Sequence, residues 1–304
     1  MKVKQKLIGA LGSLTVVILI LGLFSTTMLD KLGEQNAIFS NLTSAGKLIF
    51  QARLSQADYM LLERESFKES VDTYLTQANN FLSQTKSSMA VEASISQVNN
   101  IQENILEYKK AFEKFTQAKQ QDIDGRERFK ETAASVSASI DAVLLSIEHY
   151  FNANNTDFSE FSRYIAGKKF KDKFNDLRVE VWKYNTKSTI EGKKEIKQHI
   201  AELKSDIPKL QKIMLSSETQ QLLIDLEKDL EHYQAVNMSV QSAHDQVDVS
   251  VAAMIRAANQ ASDRSNQLIS EESEIAKGVR GTVKTAIIVA VIIAILLSFF
   301  LAFS

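Results

Sequence analysis

Ile38-Phe39-Ser40-Asn41-Leu42-Thr43-Ser44-Ala45-Gly46-Lys47-Leu48-Ile49-Phe50-Gln51-Ala52 sets apolar side chains at Ile38, Leu42, Ala45, Ile49 and Ala52, in steps of four and three. That spacing keeps one face of a helix apolar over several turns. It returns near the C-terminus at Val247, Val251, Met254, Ala258 and Ala261. The chain has 1 proline and 10 glycines in 304 residues, against roughly 15 and 21 at average usage. Abundant Gln, Lys, Glu, Ala and Leu lose little rotamer freedom in a helix. No 20-residue stretch reads as an alternating strand. The expected fold class is all-α.

Outward from that stretch, the punctuation predicts six helices. The first runs to about Leu62 and the second from Ser66 to Met89. The third runs from Glu92 to about Phe151, with one soft spot at Asp122-Ile123-Asp124-Gly125. Asn152 to Asp157 is a turn, where Thr156 or Asp157 can cap a fourth helix that reaches Lys187. The fifth spans Gly192 to Met214 around Pro208, and the sixth opens at Ser216 or Ser217 without a break until Gly278.

Two stretches are too apolar for a soluble surface. Leu7 to Leu29 holds no charged residue, and Thr285 to Ser304 is likewise uncharged. Each is about as long as the 20 residues a span needs. A cleaved signal has an apolar region of about 7 to 15 residues and ends in small residues, whereas Phe24-Ser25-Thr26-Thr27-Met28 is a poor cleavage site. Lys2, Lys4 and Lys6 hold the N-terminus in the cytoplasm. Residues 1–6 are therefore expected inside, 7–29 and 285–304 in the membrane, and 30–284 outside. Lys277, Arg280 and Lys284 oppose this weakly, and a long translocated domain overrides such charges. Because the chain stops at its second apolar stretch, the expectation is of a longer receptor whose cytoplasmic part lies beyond Ser304.

An internal repeat organises the outer segment. Arg53, Tyr59, Met89 and Tyr108 recur as Arg178, Tyr184, Met214 and Tyr233, each 125 residues on. Apolar positions keep phase, as in Val71 with Ile196 and Ile101 with Leu226. Each three-helix repeat lacks a fourth helix over its core. The second halves of helices three and six supply one if each crosses into the other unit. The expected architecture is two stacked four-helix bundles sharing two long helices, flanked by two transmembrane helices.

The segment Gln51-Ala52-Arg53-Leu54-Ser55-Gln56-Ala57-Asp58-Tyr59 resembles the arginine-bearing stretch in the first helix of the helical bimodular sensor domain of methyl-accepting chemotaxis receptors. Met254-Ile255-Arg256-Ala257-Ala258-Asn259 resembles its counterpart on the last helix. The resemblance implies a periplasmic, homodimeric sensor in the bacterial inner membrane that binds small ligands, often organic acids. It also implies a HAMP linker and a kinase-controlling hairpin, which this chain lacks. Some membrane histidine kinases carry similar ectodomains.

Arginines carry the expected chemistry. Arg53 shares a stripe with Gly46, Phe50, Ala57 and Met60. A guanidinium on an apolar face needs a partner and suits a bidentate carboxylate. It either grips a ligand or pairs with an acid at the bundle edge. Arg53 lies 24 residues past Leu29, and Arg256 lies 29 before Thr285. At helical rise these are heights of about 36 and 44 Å, so the two are expected to converge on one carboxylate in the membrane-near bundle, with Tyr59 and Tyr108 beside them. Arg178, Tyr184 and Tyr233 form the weaker candidate set of the distal bundle. The tyrosines serve equally as core residues whose hydroxyls need partners.

Other chemistries lack residues. Basic and acidic residues balance at 36 and 37, which excludes a nucleic-acid binder built on phosphate neutralisation. With no cysteine there is neither a disulfide nor a thiolate metal site. His149, His199, His232 and His244 show no metal-ligand spacing and read as surface or satisfied residues. No phosphate loop or nucleophile elbow occurs, so neither enzyme activity nor a cofactor is expected. The partners expected are a small organic anion, the lipid bilayer and a second copy, which could dock on the four-three stripe from Ile38 to Ile49. The competing expectations are a sensor that docks a periplasmic protein, and a bare helical spacer.

Overall fold

The computed structural model describes residues 2–154 and 158–303, with the side chains of 2–14, 16, 17, 20, 151, 153, 154, 158–160 and 297–303 outside the description. The chain forms α1 (Lys2–Leu62), α2 (Glu65–Ser88), α3 (Glu92–Asn154), α4 (Phe158–Thr186), α5 (Ile190–Ile213) and α6 (Ser217–Phe303). Among the described residues there is no strand. The turn and cap expected at Asn155–Asp157 lie outside them.

Local chemistry explains the ends. α1 stops where Glu63 turns to φ 53°, and its N–H donates to the Tyr59 carbonyl at 2.9 Å. α5 starts at Thr189, whose hydroxyl accepts the Gly192 N–H at 3.0 Å; such caps contribute about 1 kcal/mol. Two expected weak points are not breaks. α3 runs straight through Asp122 to Gly125, because Asp122 pairs with Arg126 one turn on and Gly125 packs against Val240. α6 continues past Gly278 and Gly281 into its apolar end. A glycine costs a helix only about 1 kcal/mol.

Two compact units result, one from residues 1–111 with 253–304 and the other from 112–252. Both divisions fall inside continuous helices, at Ala111/Phe112 of α3 and Ala252/Ala253 of α6. Each unit thus gains the helix half that its own repeat lacks.

Unit 1 packs α1, α2, the start of α3 and the end of α6. Leu42, Ala45, Ile49 and Ala52 are fully buried, with Leu75, Leu82, Ile101 and Leu268 closing the core. Each large aliphatic buried this way stabilises the fold by roughly 1.5–3 kcal/mol. α1 and α6 approach closely at Gly46, where a Cβ would lie 3.2 Å from Ser265 Oγ. Gln35 donates to Glu272 at 2.7 Å and Arg280 to Asn36 at 2.9 Å, so with Gly46 opposite Ser265 the two helices run antiparallel. The stripe expected to serve a second copy is consumed by this core.

Unit 2 packs α4, α5, the end of α3 and the start of α6 around Val136, Ile140, Phe174, Leu177, Ile200, Leu226 and Tyr233. Ion pairs stitch its surface: Lys173–Asp206 at 2.5 Å and Lys171–Asp141 at 2.6 Å. Exposed pairs of this kind contribute about 0–1 kcal/mol each.

Among the described residues, α6 is the one helix carrying a stretch long and apolar enough to cross a membrane. Its Ile287, Val291, Ile292 and Leu296 are exposed. Leu21, Phe24 and Ser25 of α1 and Ala290, Val291 and Ala294 of α6 line one cleft of about 380 Å³. The stretch expected as a first span, Leu7 to Leu29, lies partly outside the described side chains.

Candidate functional site

The repeat is built into both cores. Tyr108 and Tyr233 are both fully buried, and burial pushes each hydroxyl well above the ordinary phenol range. The opposing influence on Tyr108 is Arg53, and on Tyr233 it is Arg178. Each arginine therefore lies near the tyrosine that the repeat assigns to it. Tyr59 and Tyr184 are buried as well. The Tyr184 ring packs 5.9 Å from His244, and its hydroxyl accepts from Ser188 Oγ at 3.4 Å.

Arg53 and Arg256 part company. Arg53 is half-buried, but Phe50, Ala57 and Met60 on its stripe are exposed. The core face of α1 lies one position earlier, through Ile49, Ala52, Gln56 and Tyr59. Arg256 is exposed, two residues from the buried Met254 and Ala258, which puts it on the far side of α6 from the core. The expected convergence of Arg53 and Arg256 on one carboxylate is not met within one chain. Rotation about α6 turns Arg256 away from the core. A groove of about 500 Å³ in unit 1 is walled by Leu75, Asn79, Gln102, Ile105 and Lys109 and includes neither arginine.

Arg178 has a different setting. It lines a cleft of about 390 Å³ between α3 and α4, with Arg126, Phe129, Lys130 and Ala133 on one side and Trp182, Asn185 and Thr186 on the other. Arg126 is held by Asp122, through Nε at 3.1 Å and Nη2 at 2.8 Å. Lys130 is paired to Glu127 at 2.7 Å. Arg178 makes no ion pair among the described residues. Asn185 adds a buried amide oxygen with no hydrogen-bond partner. Oxygen and nitrogen of an amide exchange by rotation, so Asn185 can offer a donor or an acceptor. Trp182, 68% exposed, supplies a broad apolar wall. Three cations and a flat ring around a small cleft suit an anion with an apolar body.

Unit 1 has no such wall. At the repeat distance, Ala57 and Met60 stand where Trp182 and Asn185 do, and Val251 and Ile255 where Arg126 and Lys130 do. Sequence reasoning missed Arg126, Lys130, Trp182 and Asn185. The one available signal was that the only tryptophan of the chain sits one helical turn from Arg178. His244 is neither a surface residue nor satisfied: its Nδ1 is buried without a hydrogen bond, 3.5 Å from Asp122 Oδ1. Among the described residues no group of three or more His, Cys, Asp or Glu could hold a metal ion. No protein-family model and no curated protein matches the chain.

Proposed function

We propose that this chain is the sensor module of a bacterial transmembrane receptor, taking up a small organic anion in the Arg178 cleft. The observation that carries this reading is the guanidinium of Arg178, which makes no ion pair among the described residues and is set against Trp182 and Lys130 in a cleft of about 390 Å³. A bound carboxylate gives Arg178 the charge partner it lacks. Binding at the α3–α4 surface alters the packing of α3, a helix that continues into unit 1. A small shift of one span against the other is the form of signal such a helical module can pass on.

Several finer features belong to the same proposal. Residues 7–29 and 285–304 cross the inner membrane, and 30–284 form two stacked four-helix bundles in the periplasm. Unit 1 lies near the membrane and unit 2 far from it, and the active form is a homodimer. The output is that of a methyl-accepting chemotaxis receptor, with a histidine kinase as the alternative. A reporter fused at Asn154 should be active only in the periplasm, and cytoplasmic activity reverses the orientation.

Trp182 makes the binding test direct, because it is the only tryptophan of the chain. Titration of the full chain with small carboxylates should change its emission saturably. Arg178→Ala should weaken that response by about tenfold or more, a loss of roughly 1.4 kcal/mol. Arg53→Ala should leave it unchanged. An Arg178→Ala protein that responds like the parent overturns the proposed site.

A further inference from the structure

The base of unit 1 holds a buried carboxylate with no counter-charge. Glu272, on α6, is only 3% exposed. It accepts Ser94 Oγ at 2.9 Å on Oε1 and Gln35 Nε2 at 2.7 Å on Oε2. Both donors are neutral, and no ion pair to Glu272 occurs among the described residues. A buried carboxylate without a cation is costly even when it is hydrogen-bonded. Two neutral bonds leave lone pairs on both oxygens, since a carboxylate offers about four acceptor sites.

A cavity opens beside it. A half-open cleft of about 230 Å³ lies between α1, α6 and the turn between α2 and α3, and Glu272 forms part of its wall. Ile38, Met89, Val91, Ile275 and Val279 supply apolar lining, and Glu34 adds a second acid. Lys31 also borders the cavity, but it is exposed and makes no ion pair among the described residues.

We infer that this cavity binds a small protonated amine, with its ammonium on Glu272 and its hydrocarbon part against Ile38, Met89 and Val279. The donor set argues against a metal ion. Calcium takes 6–8 oxygens, whereas Gln35 and Ser94 already turn donors toward Glu272. The free lone pairs call for N–H donors, so a primary ammonium fits and a quaternary ammonium does not. The occupant touches α1 and α6 together, at the point where Glu272 already ties α6 to α1 and α3. This site is independent of the Arg178 cleft, and neither proposal requires the other.

The test uses the full chain in detergent at pH 7, with butylammonium chloride as the probe. Tetramethylammonium chloride and sodium chloride at equal ionic strength are the controls. Saturating butylammonium should raise the thermal midpoint by roughly 5 °C, and the controls should not. Glu272→Gln should remove the shift. Ala90→Trp fills the cavity from its exposed rim while keeping Glu272 and its two bonds, so it should also remove the shift in a folded protein. The site is overturned if the parent shows no shift, if tetramethylammonium matches butylammonium, or if Ala90→Trp retains the effect.

Discussion

Tyr108 and Tyr233 occupy equivalent places in the two units, but only Tyr108 has a partner for its hydroxyl. Tyr108 Oη donates to Gln56 Oε1 at 2.5 Å, whereas Tyr233 Oη is buried and unpaired. The cause is one position: Val181 stands where the repeat places Gln56. Tyr233 is held instead by rings, with Phe129 at 4.7 Å and Phe174 at 5.5 Å.

The same substitution should therefore have opposite consequences in the two units. Tyr108→Phe leaves the Gln56 oxygen without its donor, and an orphaned buried acceptor costs about 1–3 kcal/mol. Tyr233→Phe removes a hydroxyl that has no bond, so stability should hold or rise slightly. Urea unfolding of both variants measures this directly. Equal losses would show that Tyr233 finds a partner, such as a water, that the packing conceals.

Both tyrosines also set an alkaline limit. Burial raises each hydroxyl above its ordinary value, and the neighbouring arginine only partly opposes it. A raised acid keeps its proton in the fold after the unfolded chain has lost it. The stabilisation is fully present below the unfolded value of about 10 and is lost as pH rises toward the folded value. Melting temperature should fall steadily above about pH 10. The double variant Tyr108→Phe/Tyr233→Phe should flatten that limb, and an unchanged slope would assign the alkaline loss to lysines.

Glycines separate a tight contact from a loose one. At Gly125 a Cβ would lie 2.8 Å from Val240 Cγ2, a stiff β-branched side chain close to the α6 backbone. At Gly167 the nearest atom, also at 2.8 Å, is Leu144 Cδ2, the end of a flexible chain. Gly125→Ala should destabilise by about 1–3 kcal/mol. Gly167→Ala should be neutral or stabilising, because alanine favours a helix by about 1 kcal/mol over glycine. Val240→Ala should rescue Gly125→Ala but not the parent, and chemical denaturation of the four proteins reads the coupling.

Much of this architecture was legible in the sequence, for identifiable reasons. Few breakers and a four-three spacing place the ends of the helices within a few residues, except that α6 runs on past Gly278 to Phe303. The 125-residue recurrence of Arg53, Tyr59, Met89 and Tyr108 foretold which helix halves pack together. What stayed hidden depends on rotation and on partners. Ala45–Ile49–Ala52 and Gly46–Phe50–Ala57 are both apolar stripes on α1, about 100° apart, and periodicity alone does not say which one packs. Nothing in the spacing marks Arg126 and Lys130, because only α4 opposite them makes a cleft. Asp122 and Gly125 read as a soft spot in α3, because the contact at Gly125 comes from Val240 of α6.

The second α1 stripe leads to the last prediction. Phe50, Leu54 and Leu61 are 57%, 51% and 80% exposed, and with Ala57 they repeat in steps of four, three and four. This is the spacing of a coiled-coil seam, and it is left uncovered while the Ile38–Ile49 stripe is buried. If the homodimer forms through α1, the seam must be this one. The chain has no cysteine to interfere. Single cysteines at Phe50, Leu54, Ala57 and Leu61 should cross-link between copies in the membrane. Cysteines at Leu42, Ala45 and Ile49 should not, and they should destabilise by opening the core, by about 1–3 kcal/mol for the larger side chains. Lys47 and Asp58, flanking the seam, should give intermediate yields. Cross-linking confined to the buried positions would mean that the unit 1 core opens to admit a second copy. Cross-linking at no position of α1 would leave the exposed stripe to a different protein partner.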